Sequence, residues 1–289
     1  MIFYIFVANK HQMNKIYILI ITIFLATNSF AQKKEKIKGT KVVTIVKHDK
    51  EPFTEIEVED NLEVFLIKSD KNSVEIETDE NLHEIINHKV YGTTLRLNTN
   101  KDVVAFKTLV VKVMYTDSLK MISLKHESKL NSIQPIQLSN ITIKTYDFSK
   151  SFINVNTPNF ILQSNDKSKV ELNLKSEDAF IEMSKNSEIK ALISSNKLKF
   201  DMYQKSEAII EGDVNEMKLR LDNNAVYLGQ KLTSKVLNLT TEGYTKCGVN
   251  TNGNLSISAS GKSEVSIYGE PKIELKKFSE NATLFKKSK

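Results

Sequence analysis

The sequence predicts an all-β protein built as a single-stranded parallel β-helix, or β-solenoid, with coils of about 19 residues and an irregular β-rich N-terminal part. Apolar and polar residues alternate, as in strands with one buried face. This alternation recurs at a nearly constant period, which is the mark of a repeat architecture. With 289 residues, 40% hydrophobic, 4 Pro and 9 Gly, the chain is neither collagen-like nor disordered by composition.

The chain begins with a segment that we expect to be removed. Residues 1–31 contain no Asp or Glu, carry Lys10 and Lys15, and continue in an apolar run at 16–26 that is followed by Ser29-Phe30-Ala31. This is the pattern of a secretory signal peptide. The run is shorter than the roughly 20 residues of a membrane anchor, the alternative interpretation. We therefore expect an exported protein, periplasmic, on the outer-membrane surface or secreted.

An N-terminal extension at 32–49 and a less regular β-rich part at 50–120 follow. Alternating strands are predicted at 53–67, 94–97 and 109–114. This part is either the wider beginning of the same solenoid or a β-rich cap on it, because terminal repeats must be atypical where their outer face meets water.

Residues 121–285 are predicted to form the regular solenoid, and 286–289 a C-terminal tail. Each unit has apolar residues at offsets 0, 2 and often 4, a polar turn, and apolar or small residues at offsets 10, 12 and often 14. We interpret a unit as two short strands joined by turns of four or five residues. An all-β sandwich is the alternative architecture. The units start at Met121, Ile141, Phe160, Ala179, Leu198, Met217, Leu237, Leu255 and Ile273.

The constant period predicts that each residue lies above the residue 19 positions earlier. A solenoid needs this phase in every coil, whereas antiparallel hairpins tolerate loops of variable length. The column at offset 2 is then almost entirely apolar, and a single unit could not bury it without its neighbours. It contains Ser123, Ile143, Leu162, Ile181, Phe200, Leu219, Leu239, Ile257 and Leu275.

Charge and cysteine content exclude several function classes. Lys and Arg number 41 against 35 Asp and Glu, with a net charge of +6. Arg96 and Arg220 are the only arginines, and Lys alternates with acidic residues, so a nucleic-acid partner is not expected. One cysteine, Cys247, excludes a disulfide framework and a multi-cysteine metal site. Its inward offset predicts a buried, small apolar role.

Three stretches carry a family resemblance. They are Phe53-Thr54-Glu55-Ile56-Glu57-Val58, Leu62-Glu63-Val64-Phe65-Leu66 and the closing segment 260–271, SGKSEVSIYGEP. Over roughly residues 50–275 the chain resembles the putative auto-transporter adhesin head GIN domain family of Bacteroidetes-type bacteria. The resemblance implies an exported β-helix-like protein of undefined molecular function. Family turns are usually Gly-rich, whereas this chain has Lys, Asn and Ser at many of those positions.

A charged row is the first candidate ligand site. Outward offsets align Glu182, Asp201 and Arg220, with Lys199 and Lys218 beside them. Two positioned carboxyls on a β-helix face are typical of polysaccharide-active enzymes. A structural ladder of opposite charges explains the same residues more simply.

No cofactor or metal is expected. His83, Glu84 and His88 match no standard ligand spacing. We interpret the two histidines as surface residues near a loop. Gly-rich phosphate loops, Ser-His-Asp signatures and zinc motifs do not occur in the sequence.

A column of small polar residues recurs at offset 8. Its hydroxyls could bind a glycan or ice-like water, but Ser that bonds its own turn backbone is the simpler interpretation. The column contains Ser149, Ser168, Ser187, Ser206, Ala225, Thr245, Ser263 and Asn281.

Outward apolar residues are the candidate interface, because contiguous exposed apolar area marks docking surfaces. They are Phe152, Ile209, Leu228 and Leu284 on one strand and Ile161 and Phe180 on the other. The expected function is an exported, non-enzymatic interaction module, adhesin-like or binding a glycan or envelope protein. Two alternatives stay open, namely a polysaccharide-active β-helix enzyme and an envelope structural protein that forms homo-oligomers.

Overall fold

The computed structural model describes residues 34–288, so the expected signal peptide lies outside the described residues. The chain from Lys36 onward forms one compact unit. Its one 3₁₀ helix among the described residues is Glu80–Ile85. The strands are β1 Lys36–Lys38, β2 Val43–Asp49, β3 Glu55–Val58, β4 Glu63–Lys68, β5 Ser73–Asp79, β6 Ile86–Tyr91, β7 Thr94–Thr99, β8 Asp102–Val104, β9 Leu109–Tyr115, β10 Met121–Leu124, β11 Lys129–Ser132, β12 Ile136–Gln137, β13 Asn140–Thr145, β14 Lys150–Ser164, β15 Lys169–Met183, β16 Glu188–Met202, β17 Glu207–Leu221, β18 Val226–Thr241, β19 Lys246–Ala259, β20 Glu264–Tyr268, β21 Lys272–Phe278 and β22 Thr283–Lys286.

The predicted parallel β-solenoid is confirmed. From β10 onward the ladders between successive coils are parallel, and Lys150 of β14 pairs with Lys169 of β15, 19 positions later. The same step relates β15 to β16 and β16 to β17. Each coil therefore stacks on the previous one through backbone hydrogen bonds that run along the solenoid axis.

Only one of the two connections in a coil is a tight turn. At the other connection the chain bends at a corner inside one continuous strand, which is why β14 to β17 each contain 15 residues. The ladder of β14 skips Pro158, which lacks a backbone N–H, at this corner. The expectation that turns of four or five residues join the two strands of each unit is therefore wrong for the corner side.

Four of the tight turns have left-handed backbone geometry without glycine. Gln204 and Lys205 have φ of 50° and 63°, and four successive coils have two such residues in this turn. Positive φ at both central residues is type I′ geometry, which favours Asn and Gly. In the turns at Gly243 and Gly261 only the first central residue has positive φ. Lys, Gln and Asn therefore adopt at these turns the left-handed conformation that glycine adopts most readily.

An inward apolar column runs through the whole unit. Every member below the last coil is at most 2% exposed. Burial of one such side chain contributes roughly 1.5–3 kcal/mol, so the column is a main source of stability. In stacking order it contains Leu95, Ile56, Ile122, Ile143, Leu162, Ile181, Phe200, Leu219, Leu239, Ile257 and Leu275.

The register at the first regular coil differs from the expectation by one residue. Ile122, not Ser123, pairs with Ile143 and is fully buried. The unit start predicted at Met121 is therefore wrong. The coil that follows is 21 residues long because two extra residues lie between Asn131, which pairs with Phe152, and Ile136, which pairs with Val155.

A second shift displaces the last coil. The ladder between β19 and β21 is irregular after Ile257, so that Ser258 pairs with Lys277. Downstream, Leu284 pairs with the buried Val265 and packs against the core. The predicted outward position of Leu284 is therefore wrong, and Phe285, 46% exposed, occupies that outward column.

Antiparallel strands close the N-terminal end. Beneath the first coil, β7 pairs with β3 and β9 pairs with β4, both in parallel. Beyond them, three antiparallel pairs follow. Strand β6 pairs with β7, β5 pairs with β9, and β2 pairs with the free edge of β5. The fully buried Asp79 accepts hydrogen bonds from the backbone N–H groups of Lys41, Lys107 and Thr108. Burial raises its pKa, but these bonds outweigh that effect and leave the pKa below its usual value.

The C-terminal end has no such cover among the described residues. All seven residues of β21 are exposed. Ile273 and Leu275, which continue the inward columns, are 41% and 52% exposed. The two ends of the solenoid therefore differ in kind.

Gly212 should be the glycine least tolerant of a side chain. Its φ is +116°, and an added Cβ would lie 2.1 Å from the carbonyl oxygen of Ile193 in the coil below. We expect Gly212→Ala to destabilise the protein by at least about 2 kcal/mol in urea unfolding. Gly92→Ala is the matched control, because Gly92 has φ +62° but open space around its Cα. It should cost only about 1 kcal/mol, and equal costs would contradict the proposed clash.

The N-terminal cap contains a histidine that titrates at low pH. His88 Nδ1 lies 2.7 Å from Lys50 Nζ, and its ring stacks on His48 at 4.3 Å. Burial, and then the charges of Lys50, His48 and Lys89, lower the pKa of His88 to about 4. The unfolded chain binds a proton near pH 6.5, so the contribution of this histidine to stability is present above that pH.

We expect the urea midpoint to fall as the pH is lowered from 7 to 5, and to fall less in His88→Gln. The physical reason is that acid protonates His88 in the unfolded chain first. His126→Asn is the control, because His126 is exposed on the turn of another coil. A pH dependence that is identical in the wild type and in His88→Gln would contradict this account.

Candidate functional site

The structure places the predicted charged row in one column. Glu182 pairs with Asp201, and Asp201 pairs with Arg220, on adjacent coils. Lys199 and Lys218 are paired in the neighbouring outward column. All five candidate residues therefore lie together, as the 19-residue period predicts.

Two of the five residues form an ion pair with each other. Lys199 Nζ lies 2.9 Å from Asp201 Oδ2, and the same ammonium lies 4.5 Å above the ring of Phe180. The hydrogen bond to Asp201 raises the pKa of Lys199. Asp201 is only 7% exposed. A carboxylate held in this way suits a surface charge pair better than attack on a bound sugar.

The small polar column is buried. Ser149, Ser187 and Ser206 have no exposed surface, so their hydroxyls cannot contact a glycan. Their oxygens also have no hydrogen-bond partner among the described residues. Both interpretations are therefore wrong for these three serines, whereas Ser168 Oγ donates a hydrogen bond to the backbone carbonyl of Thr145 at 3.4 Å. Ala225 occupies the same position fully buried, which indicates that small size is what the turn interior requires.

The outward apolar residues form two small groups and not one stripe. Ile161 pairs with Phe180 on adjacent coils, and Ile209 pairs with Leu228. Phe152, 43% exposed, lies in the column of Ile209, but Glu171 and Lys190 separate the two.

The histidines and the cysteine have structural partners. His83 Nε2 lies 2.9 Å from Thr44 Oγ1. Cys247 is buried in the inward column, as predicted, and burial raises the pKa of its thiol. Within residues 34–288, no three His, Cys, Asp or Glu side chains come together as a metal site.

A groove that we did not predict lies along the strand corners. Two adjoining concavities of about 400 and 530 Å³ share Asn156, Lys175, Ser194 and Asp213. These four residues are in direct register on successive coils and face outward. We call the surface formed by these four residues and by Asn154, Asn173, Leu192 and Asn196 the corner groove.

The corner groove offers hydrogen-bonding groups at the spacing of the coils, about 4.8 Å. Ser194 Oγ lies 3.4 Å from Asp213 Oδ2, and Asn215 Nδ2 donates to Asn196 Oδ1 at 2.9 Å. Leu192, 53% exposed, adds an apolar patch. Amides, a hydroxyl, a carboxylate and an ammonium thus line one open surface. The sequence signal was present, because these positions also recur every 19 residues.

Comparisons with known proteins agree with this architecture. The family model described as "Putative auto-transporter adhesin, head GIN domain" matches residues 52–271. No curated protein matches the chain by sequence. Among the described residues, no helix has the length and apolar character needed to cross a membrane.

Solved structures share the fold at low sequence identity. A putative adhesin from Parabacteroides merdae is 15% identical, with a TM-score of 0.62 over 88% of this chain and 98% of its own. A putative adhesin from Parabacteroides distasonis is 18% identical, with a TM-score of 0.59 over 86% and 99%. A putative lipid binding protein from the same species is 14% identical, with a TM-score of 0.58 over 87% and 97%. With more than half of its length matched by the family model, the chain belongs to the auto-transporter adhesin head GIN domain family.

Proposed function

We propose that this protein is an exported, non-enzymatic, adhesin-like module that binds saccharides of a cell envelope or surface through the corner groove. The observation that carries the proposal is the groove itself, in which each of four successive coils places a different polar side chain at the same position. The family and two of its structural neighbours, which are named as putative adhesins, support an adhesin-like role.

The chemistry of the groove suits sugar hydroxyls. A saccharide offers closely spaced donors and acceptors on a ring with apolar faces. Asn156 and Asn173 offer both a donor and an acceptor, Asp213 accepts, and Lys175 donates. Leu192 offers an apolar contact for a ring face. A rigid ladder binds with little loss of side-chain and loop entropy, which favours affinity.

The alternatives have weaker support. A polysaccharide-active enzyme would need two carboxyls free to act on a sugar, whereas Asp201 is engaged by Lys199. Homo-oligomerisation through the apolar residues would be favoured by a contiguous patch, whereas Phe152 is separated from Ile209 and Leu228 by charged residues. Export is supported by the composition of residues 1–31 and by the adhesin-type family.

We expect the full chain to bind one or more glycans on a glycan array, and Asn156→Ala to weaken that binding by about three- to tenfold. Loss of one or two hydrogen bonds of ordinary strength gives a change of this size. The measurement is a titration of the best array ligand by calorimetry. Asn238→Ala is the matched control, because Asn238 is exposed on the opposite strand segment and should leave the affinity unchanged.

Two outcomes would count against the proposal. One is an array without any bound glycan, and the other is binding that Asn156→Ala and Asn238→Ala affect equally. Release of reducing ends from the bound glycan would instead favour the enzyme alternative.

A further inference from the structure

Three lysines stack directly on one another on the same face as the corner groove. Lys129 of β11 pairs with Lys150 of β14, which pairs with Lys169 of β15. Like charges directly opposite each other in a sheet are destabilising. Glu63 lies below this column and Glu188 above it, so acidic residues would have fitted the same positions.

The middle of the column is not neutralised. Lys169 Nζ forms an ion pair with Glu188 Oε2 at 2.8 Å. Glu63, at the other end, accepts a hydrogen bond from Asn131. Within residues 34–288, neither Lys129 nor Lys150 has a carboxylate within 4.0 Å. All three lysines are exposed, so two ammonium groups without a carboxylate partner face solvent side by side.

Two phenylalanine side chains line the same cavity as these lysines. Phe148 is 56% exposed, and Lys167 Nζ lies 5.1 Å from the centroid of its ring. Phe106, from the loop after β8, is partly buried against the core and lines the same cavity, of about 460 Å³. Asn61 and one carboxylate, Glu127, complete its rim. We call this cavity the lysine pocket.

The lysine pocket and the corner groove lie at the two ends of one strand segment. Lys150 and Asn156 both face outward on β14, six residues apart. At about 3.3 Å per residue the separation is about 20 Å, the length of a short oligosaccharide. Phe152 and Asn154 face outward between them. A linear saccharide could therefore contact both sites at once.

We propose that the lysine pocket is an anion subsite that takes acidic sugars, with the carboxylate or sulfate at Lys129 and Lys150 and a sugar ring against Phe148. The inference deepens the proposed saccharide-binding function and rests on it. Aromatic rings pack on sugar faces, and two ammonium groups on adjacent coils, about 4.8 Å apart, can both contact one carboxylate or sulfate. A site for free phosphate would not need the exposed ring.

The probes are polygalacturonate, the same polymer with its carboxylates methyl-esterified, dextran sulfate and tripolyphosphate. The full chain should bind polygalacturonate or dextran sulfate at least about tenfold more tightly than the esterified polymer, and added salt should weaken the binding. The polymer that binds more tightly identifies the acidic group.

Variants locate the site. Lys150→Gln should weaken binding about tenfold, and Phe148→Ala about threefold. Lys235→Gln, which removes the same charge at an exposed corner residue, is the control and should leave binding unchanged. Lys150→Glu should abolish binding and yet raise the urea midpoint, because it turns three stacked lysines into an alternating column. A raised midpoint also shows that lost binding is not lost folding.

The outcomes separate this inference from the proposed function. Binding that Asn156→Ala weakens and Lys150→Gln does not would overturn the lysine pocket but keep the corner groove. Tripolyphosphate binding that is as tight as that of the acidic polymers and insensitive to Phe148→Ala would show an anion site without sugar recognition, and would overturn the inference. An equal loss of affinity in Lys150→Gln and Lys235→Gln would overturn the inference, because it would show that the acidic polymers bind to the positive charge of the surface without a specific site.

Discussion

The constraint on which this structure depends is the register of its parallel backbone ladders. Each coil must return after about 19 residues so that its N–H and C=O groups meet those of the coil below. Side chains then have little freedom of position, because an inward residue stacks on inward residues and an outward one on outward ones. The core, the charged row, the corner groove and the lysine pocket are all columns of this single lattice.

The same constraint explains what could be predicted from sequence. The apolar columns were predictable because a strand with one buried face alternates apolar and polar residues. Few folds require this alternation to recur at the same positions in every unit. The positions of Met121 and Leu284 were not predictable, because two extra residues between β11 and β12 and one extra residue in the bulge of β21 cost little and leave no signal in composition. The antiparallel closure of the N-terminal end also depends on long-range pairing that alternation does not encode.

The candidate sites divide in the same way. The row of Glu182, Asp201 and Arg220 was found because the period was applied to charged residues. Lys129, Lys150 and Lys169 also form a column, but the spacing of the first two is 21 residues and not 19, so the period alone does not align them. The corner groove was not predictable in the same way, because its polar residues recur with the period but nothing in their spacing shows that the strand bends there without a break.

The difference between the two ends of the solenoid has a consequence for how the molecule comes apart. Strands β2, β5 and β6 cover one end, whereas the last coil has neighbours on one side only and leaves Leu275 half in water. Amide protons of β21 and β22 should therefore exchange with solvent first, and the loss of order should travel coil by coil from the carboxyl side. The corner groove and the lysine pocket, at β11 to β17, belong to the part that this fraying reaches only after β18 to β22.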